Sequence, residues 1–324
     1  MYTEEILLKK VNEYIAGMQY AEQPEGLYSP ITYTMALGGK RIRPVLMLMG
    51  YNLYKDDVDS ILPNAVGLET YHNFTLLHDD LMDKADVRRG KATVHKKWND
   101  NTAILSGDAM LILAYKLMAQ NKNEHFLEAL DTFNDATLGV CEGQQYDMDF
   151  ETRNDVSEDE YMEMIRLKTS LLLACALKIG AQLAGASDED AQHLYNFGEK
   201  MGLAFQLQDD LLDVYGDPAI FGKKIGGDII CNKKTFMLIN ALNKSNKEQR
   251  EALDEWINKK EFNAEEKIAA VTRIYDEIDI KTICKAKIDS LFAQSLASLE
   301  KVRVDENKKC ALKEFATNLM GRKH

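Results

Sequence analysis

The stretch Leu76 to Asp83, LLHDDLMD, sets three carboxylates among apolar side chains. At 100° per residue, Asp79, Asp83 and Asp80 fall at about 0°, 40° and 100° around a helix, with Phe74, Leu77 and Leu81 near about 160–220° on the other side. The pattern predicts a helix with an apolar back in the core and an acidic front. Like charges four residues apart destabilise a helix by about 0.2–0.5 kcal/mol, and by more when partly desolvated. An unpaired buried carboxylate costs several kcal/mol or shifts its pKa. Three acids so close together need positive partners to meet them.

The rest of the chain predicts an all-α setting for this helix. Its 324 residues are 45% hydrophobic and 28% charged, the balance of a globular protein able to bury a core. No apolar run reaches the ~18–20 residues that span a bilayer, so no transmembrane segment is expected. The start, MYTEEILLKKVNEYIAG, carries acids where a signal peptide has bases, and reads as a first amphipathic helix. Five cysteines, scattered and never in CxxC, argue against a disulfide framework or a zinc site and predict a reducing cytoplasm. Prolines stand at 24, 30, 44 and 63 and then only at 218, which predicts helix throughout 64–217. Ser157 with Glu160, and Ser187 with Asp190, have capping-box spacing. The one β-like patch is TRIYDEIDI, 272–280. With no linker or repeat, the expectation is one domain over 1–324, a single large helical bundle around a deep central cavity.

The acidic spacing occurs twice. In AFQLQDDLLD, Asp209, Asp210 and Asp213 repeat DDxxD among apolar residues. One copy is weak evidence, because solvated acidic faces produce it by chance. Two copies, each followed by bases, form a constellation. If the two helices face each other, up to six carboxylate groups line one cavity. Hard oxygens in that number suit Mg²⁺, which prefers to share its shell with water and substrate phosphates. The net charge of −12 argues against a nucleic-acid partner, yet bases gather in GGKRIRP (38–44), VRRGK (87–91), GKK (222–224) and NKK (232–234). Such knots suit small anions: arginine grips phosphate bidentately, and Gly38 and Gly39 let backbone approach one closely. The layout serves two anionic groups, one held through metal and one by bases alone.

These motifs, in this order from 38 to 235, resemble a trans-isoprenyl diphosphate synthase of the polyprenyl synthetase family. The resemblance implies an all-α prenyltransferase joining isopentenyl diphosphate to an allylic diphosphate, with about three Mg²⁺ ions per active site. It implies Mg²⁺ ligation by Asp79, Asp80, Asp83, Asp209, Asp210 and Asp213. It implies basic contacts to the allylic diphosphate from Arg88, Lys168, Lys223 or Lys224, and Lys233. Gly39, Lys40, Arg43, His72 and Arg89 match the metal-free isopentenyl diphosphate pocket. Thr169 and Gln206 match polar groups beside the developing carbocation, and Gln144 and Asp147 match a polar pair lining the cavity. The C-terminal GRKH resembles, loosely, a basic tail that closes over the isopentenyl site. The family is usually homodimeric.

In that family the product grows down a tunnel below the first motif. Phe74 lies five residues before Asp79, Thr75 four before and Tyr71 eight before, one and two turns down. A phenylalanine at that level plugs the tunnel and points to a C20 product, geranylgeranyl diphosphate. C15, farnesyl diphosphate, is the alternative, although Thr75 departs from one C15 pattern that has aromatics at both positions. Three other readings fit less well. A metal phosphohydrolase built on His78-Asp79 lacks further metal histidines; a terpene cyclase has a different second motif and no need of GGKRIRP. A silent partner subunit commonly loses one aspartate motif, and both are intact here.

Overall fold

The computed structural model describes residues 1–121, 123–217 and 225–321. Helices come in the order α1 (Glu4–Gly17), α2 (Glu25–Ala36), α3 (Ile42–Asn52), α4 (Leu62–Met82), α5 (Val94–Lys97), α6 (Asp100–Met118), α7 (Phe126–Thr152), α8 (Glu158–Ile165) and α9 (Leu171–Leu183). After these come α10 (Asp188–Tyr215), α11 (Gly227–Ile230), α12 (Phe236–Lys244), α13 (Lys247–Asn258), α14 (Ala264–Glu277), α15 (Ile280–Glu300) and α16 (Glu306–Met320). Among the described residues the strands are two residues each, β1 (Val87–Arg88) and β2 (Lys91–Ala92). The fold is all-α. No helix among the described residues is long and apolar enough to cross a membrane.

Two compact units are present. One comprises residues 1–134, 175–195 and 302–312, the other 135–174, 196–301 and 313–324. In the first, α3 is buried from Pro44 to Asn52 and α4 buries Ala65, Val66, Leu68 and Tyr71. In the second, Tyr161, Ile165, Leu203, Leu207, Leu211, Phe236 and Tyr275 share one apolar cluster, so the second aspartate motif has the apolar backing that its sequence predicts.

Helix is not continuous through 64–217. α4 stops at the first aspartate motif in a Schellman turn: the Lys84 N–H donates to Leu81 O (3.2 Å) and the Ala85 N–H to Asp80 O (2.9 Å). Lys84 itself takes a left-handed φ of 53°, a position that usually falls to glycine. β1 and β2 then pair Arg88 with Lys91 across Arg89-Gly90, whose φ values of 51° and 73° make a two-residue hairpin turn twisted to match its strands. Arg88 and Arg89 are therefore on a hairpin, not on the continuous helix that the absence of proline predicts. The β-like TRIYDEIDI is also helical. Val271, Ile274 and Tyr275 are buried at helical spacing in α14, and Asp279, at φ 62°, turns the chain into α15.

The Ser157 capping box forms reciprocally with Glu160. At Ser187 only half forms: the Asp190 N–H donates to Ser187 Oγ (3.2 Å), while the Asp190 carboxylate accepts from the Arg303 N–H (2.9 Å). From α8 to α9 the helix is unbroken but passes through a π turn at Arg166–Ser170, the turn that carries Lys168 and Thr169. Single π turns inside α-helices are frequently found at functional sites.

Candidate active site

Both aspartate motifs lie at helix C-termini, Asp79–Asp83 closing α4 and Asp209–Asp213 in the last turns of α10. The negative end of a helix macrodipole is the unfavourable place for carboxylates, so position adds to the repulsion already evident in the spacing. Within each motif the acids are not equivalent. Asp80 is 5% exposed and Asp210 4%, whereas Asp79, Asp209 and Asp213 are half-buried and Asp83 is exposed. The expected shared acidic front thus splits, with the second aspartate of each triplet turned inward.

In the first unit, Arg88 answers Asp80. Its Nε–H and Nη2–H both reach Asp80 Oδ1, at 2.8 and 2.7 Å. Burial raises the Asp80 pKa and Arg88 lowers it. The GGKRIRP loop lies in the same unit, and its backbone is left-handed at Gly38, Gly39 and Arg41. Arg41, which the sequence reading passed over, is buried; it donates to Glu69 Oε1 (2.7 Å) and to Met35 O (2.8 Å). Asn73 Nδ2 donates to the same Glu69 oxygen at 3.1 Å, so α4 anchors the loop that displays the exposed Lys40. Arg89 donates to Gly38 O, and a Cβ on Gly39 would sit 2.8 Å from the Arg89 guanidinium. Any side chain at that position would push the Arg89 guanidinium aside.

His72 joins this basic group. Burial, then the charges of Arg43, Arg89, Arg88 and Arg41, hold its imidazole far below the usual histidine range and therefore neutral. Burial lowers Arg43 to about 10, and it lowers Arg89 as well. Arg43 Nε is buried without a hydrogen-bond partner, which suits a site built for an anion. Below the motif, the Phe74 ring packs edge-on against Tyr71 (5.4 Å between centroids) and His78 (4.8 Å), and Tyr71 packs against Phe133 (5.7 Å). Thr75 Oγ1 donates back to His72 O (2.8 Å). His78 Nε2 lies 3.2 Å from Ile104 O, packed toward α6.

In the second unit, Lys168 Nζ donates to Asp147 Oδ2 at 2.6 Å, joining two residues that sequence had singled out separately. Gln144, one turn before Asp147, is half-buried. Thr169 Oγ1 donates to Gln206 Oε1 (3.1 Å), and Gln206 Nε2 to Asp210 Oδ1 (2.9 Å). Tyr161 donates to the other Asp210 oxygen. Burial pushes Asp210 up to about 6 against the pull of these donors. Asp213 Oδ2 accepts from the Asp228 N–H at 3.0 Å. Burial drives Asp228 up to about 7, Lys233 opposes, and Asp210, Asp213 and Asp209 add repulsion. Lys233 is exposed on the following turn. The turn is pinned from α14, where buried Lys267 donates to Ile230 O (3.1 Å) and Asn232 Oδ1 (2.6 Å). Lys223 and Lys224 lie outside the described residues, as do the last three residues of GRKH.

Tyr161, Asp228 and the Arg41–Glu69 pair escaped the sequence reading. Asp228 was visible at the end of FGKKIGGD, but no spacing rule ties it to Asp213 from 15 residues away. Tyr161 reads as an ordinary apolar-face residue until its partner is known.

Mg²⁺ fits this donor set. Hard carboxylate oxygens stand partly exposed at both helix ends. Among the described residues no three acidic, histidine or cysteine side chains converge into a closed metal site. Each ion would take only part of its shell from protein, leaving room for water and phosphate oxygens as Mg²⁺ prefers.

The polyprenyl synthetase family model matches residues 24–275. The geranylgeranyl diphosphate synthase of Methanosarcina mazei is 44% identical over 224 residues, 68% of this chain and 69% of that protein. A crystal structure of a geranylgeranyl pyrophosphate synthase superposes with a TM-score of 0.94 at 42% identity, covering 100% of both chains. The Corynebacterium glutamicum geranylgeranyl pyrophosphate synthase, solved with isoprenyl diphosphate and magnesium, gives 0.86 at 26% identity, covering 98% of both. The chain belongs to the polyprenyl synthetase family.

Proposed function

We propose that this protein is a Mg²⁺-dependent prenyltransferase that condenses isopentenyl diphosphate head to tail (1′–4) with an allylic diphosphate, ending at C20 geranylgeranyl diphosphate. The observation that carries the reading is the pair of DDxxD motifs, each closing a helix and each accompanied within its own unit by a basic cluster. Asp79 and Asp83, and Asp209 and Asp213, are assigned as Mg²⁺ ligands, about three ions in all. Asp80 and Asp210, committed to Arg88 and to Tyr161 and Gln206, orient the motifs more than they ligate.

When bound, Mg²⁺ neutralises the allylic diphosphate as it leaves. Lys168, held by Asp147, and Lys233 share that charge. Lys40, Arg43 and Arg89, with neutral His72, bind isopentenyl diphosphate without metal. Thr169 and Gln206 place oxygen dipoles beside the allylic cation, which the C3=C4 bond of isopentenyl diphosphate attacks. The departed diphosphate takes the released proton. Water has to be excluded, since it quenches the cation.

Phe74, backed by Tyr71, is read as the tunnel floor that stops growth. The geranylgeranyl names of the relatives weigh against the C15 alternative, and two intact aspartate motifs weigh against a silent subunit. The reading extends to one catalytic domain over the whole chain, acting in the cytoplasm as a homodimer. The exposed Ile104, Leu105 and Ile112 on one face of α6 support the dimer. The test is diphosphate release by the purified chain alone, given isopentenyl diphosphate, farnesyl diphosphate and Mg²⁺. Release abolished by EDTA is expected; activity only after adding a second homologous chain would favour the silent subunit.

A further inference from the structure

A hydrogen-bond relay runs from Tyr161 through Asp210 and Gln206 to Thr169. Tyr161 is 1% exposed in the first turn of α8, within the apolar cluster around Ile165, Leu207 and Cys284. A phenylalanine would fill the same space, so the hydroxyl is the one feature that packing does not explain. A buried tyrosine hydroxyl needs a partner, and this one donates to Asp210 Oδ2. Gln206 Nε2 occupies Oδ1 at 2.9 Å. As a carboxylate, Asp210 only accepts, and with both oxygens engaged it turns the Gln206 amide so that its nitrogen faces α10. The Gln206 oxygen is thereby left to accept from Thr169 Oγ1 at 3.1 Å. With its proton committed inward, Thr169 can present only lone pairs on its outer side.

The geometry points to Tyr161 as a positioning residue for prenyl transfer: through Asp210 and Gln206 it fixes the polarity of Thr169, so that an oxygen lone pair and not an O–H faces the allylic cation. The inference rests on the function proposed above, in which Thr169 and Gln206 lie beside that cation. Tyr161 touches no substrate; its effect passes through the relay. A hydroxyl proton turned toward a carbocation would repel it, whereas a fixed lone pair stabilises the charge without reorganisation.

The test is a double-mutant cycle, with kcat and KM measured on the full-length protein for both diphosphates. Tyr161→Phe is expected to lower kcat by about 10- to 100-fold, the scale of a misaligned catalytic group, with KM for isopentenyl diphosphate within about twofold of wild type. In a Thr169→Val background, which has no hydroxyl to orient, the same change is expected to cost less than about twofold. A ring-fluorinated tyrosine at 161 keeps the donor and the packing, and is expected to keep kcat. It serves as the control should Tyr161→Phe lower the melting temperature. An unchanged kcat in Tyr161→Phe overturns the inference. So does an equal loss in the wild-type and Thr169→Val backgrounds, which would mean that Tyr161 acts by packing alone. If the wild-type chain itself forms no condensation product, the proposed function fails and the inference falls with it.

Discussion

Lys168 Nζ lies 2.6 Å from Asp147 Oδ2, so the π turn after α8 delivers a lysine straight onto an acid of α7. Both side chains keep about a quarter of their surface exposed, 24% and 20%. A pair screened to that degree contributes only about 0–1 kcal/mol to stability. Its value is in aiming the ammonium. Asp147→Ala is expected to leave the melting temperature nearly unchanged while lowering kcat about tenfold, the scale of a loosened catalytic group. Thermal melts beside steady-state kinetics check this, and an unchanged kcat would remove Asp147 from the site.

The outward aspartates bear more directly on chemistry. Asp79→Ala and Asp209→Ala each remove a carboxylate from a helix C-terminus where it is electrostatically unfavourable, so the apo protein is expected to be as stable as wild type or slightly more so. Turnover is expected to fall by about 10³-fold or more. Calorimetric titration of Mg²⁺ with an allylic diphosphate analogue should show weakened binding in both variants. Near-normal rates would sink the assignment of these residues as metal ligands.

His72 gives the stability of the free protein a defined pH dependence. Burial and four neighbouring arginines depress its folded-state pKa, so below the unfolded value of about 6.5 the unfolded chain binds a proton that the native state does not. Stability from this group is present above about pH 6.5 and is lost as the pH falls, at no more than about 1.4 kcal/mol per pH unit. Denaturant melts of His72→Gln are expected to show a flatter acid limb than wild type between about pH 6 and 4.5. An identical limb would mean that His72 is not held neutral by its surroundings.

Phe74 is the expected stop for chain growth. Its ring rests on Tyr71, which is 1% exposed, so removing the phenyl group opens one level and leaves the next closed. Phe74→Ala is expected to extend the product by about one isoprene unit, at a stability cost below the ~3–5 kcal/mol of a fully buried phenylalanine because the ring is only half-buried. Chromatographic sizing of the dephosphorylated products is the check, and an unaltered profile would place the floor elsewhere.

The all-α class, the two aspartate motifs and the basic clusters around them are legible in the sequence because each rests on a short local pattern: DDxxD spacing, an absence of proline, glycine before lysine. Residues whose roles depend on partners far along the chain could not be read this way. Asp80 and Asp210 share their motifs' spacing with the outward acids, and only Arg88 on an unforeseen hairpin and Tyr161 from another helix turn them inward. The hairpin was missed because Arg89 and Lys84 adopt left-handed backbone conformations that glycine would have advertised. TRIYDEIDI shows the opposite case, a β-branched stretch in an all-α chain whose residues also satisfy a helical period.

Product length tests the account most directly. The purified chain would be incubated with Mg²⁺, isopentenyl diphosphate and, in turn, the C5, C10 and C15 allylic diphosphates, and the products sized. The expected result is a common end point at C20 from all three primers. A halt at C15 or growth past C20 would contradict Phe74 as the stop, and no condensation with any primer would contradict the proposed function itself.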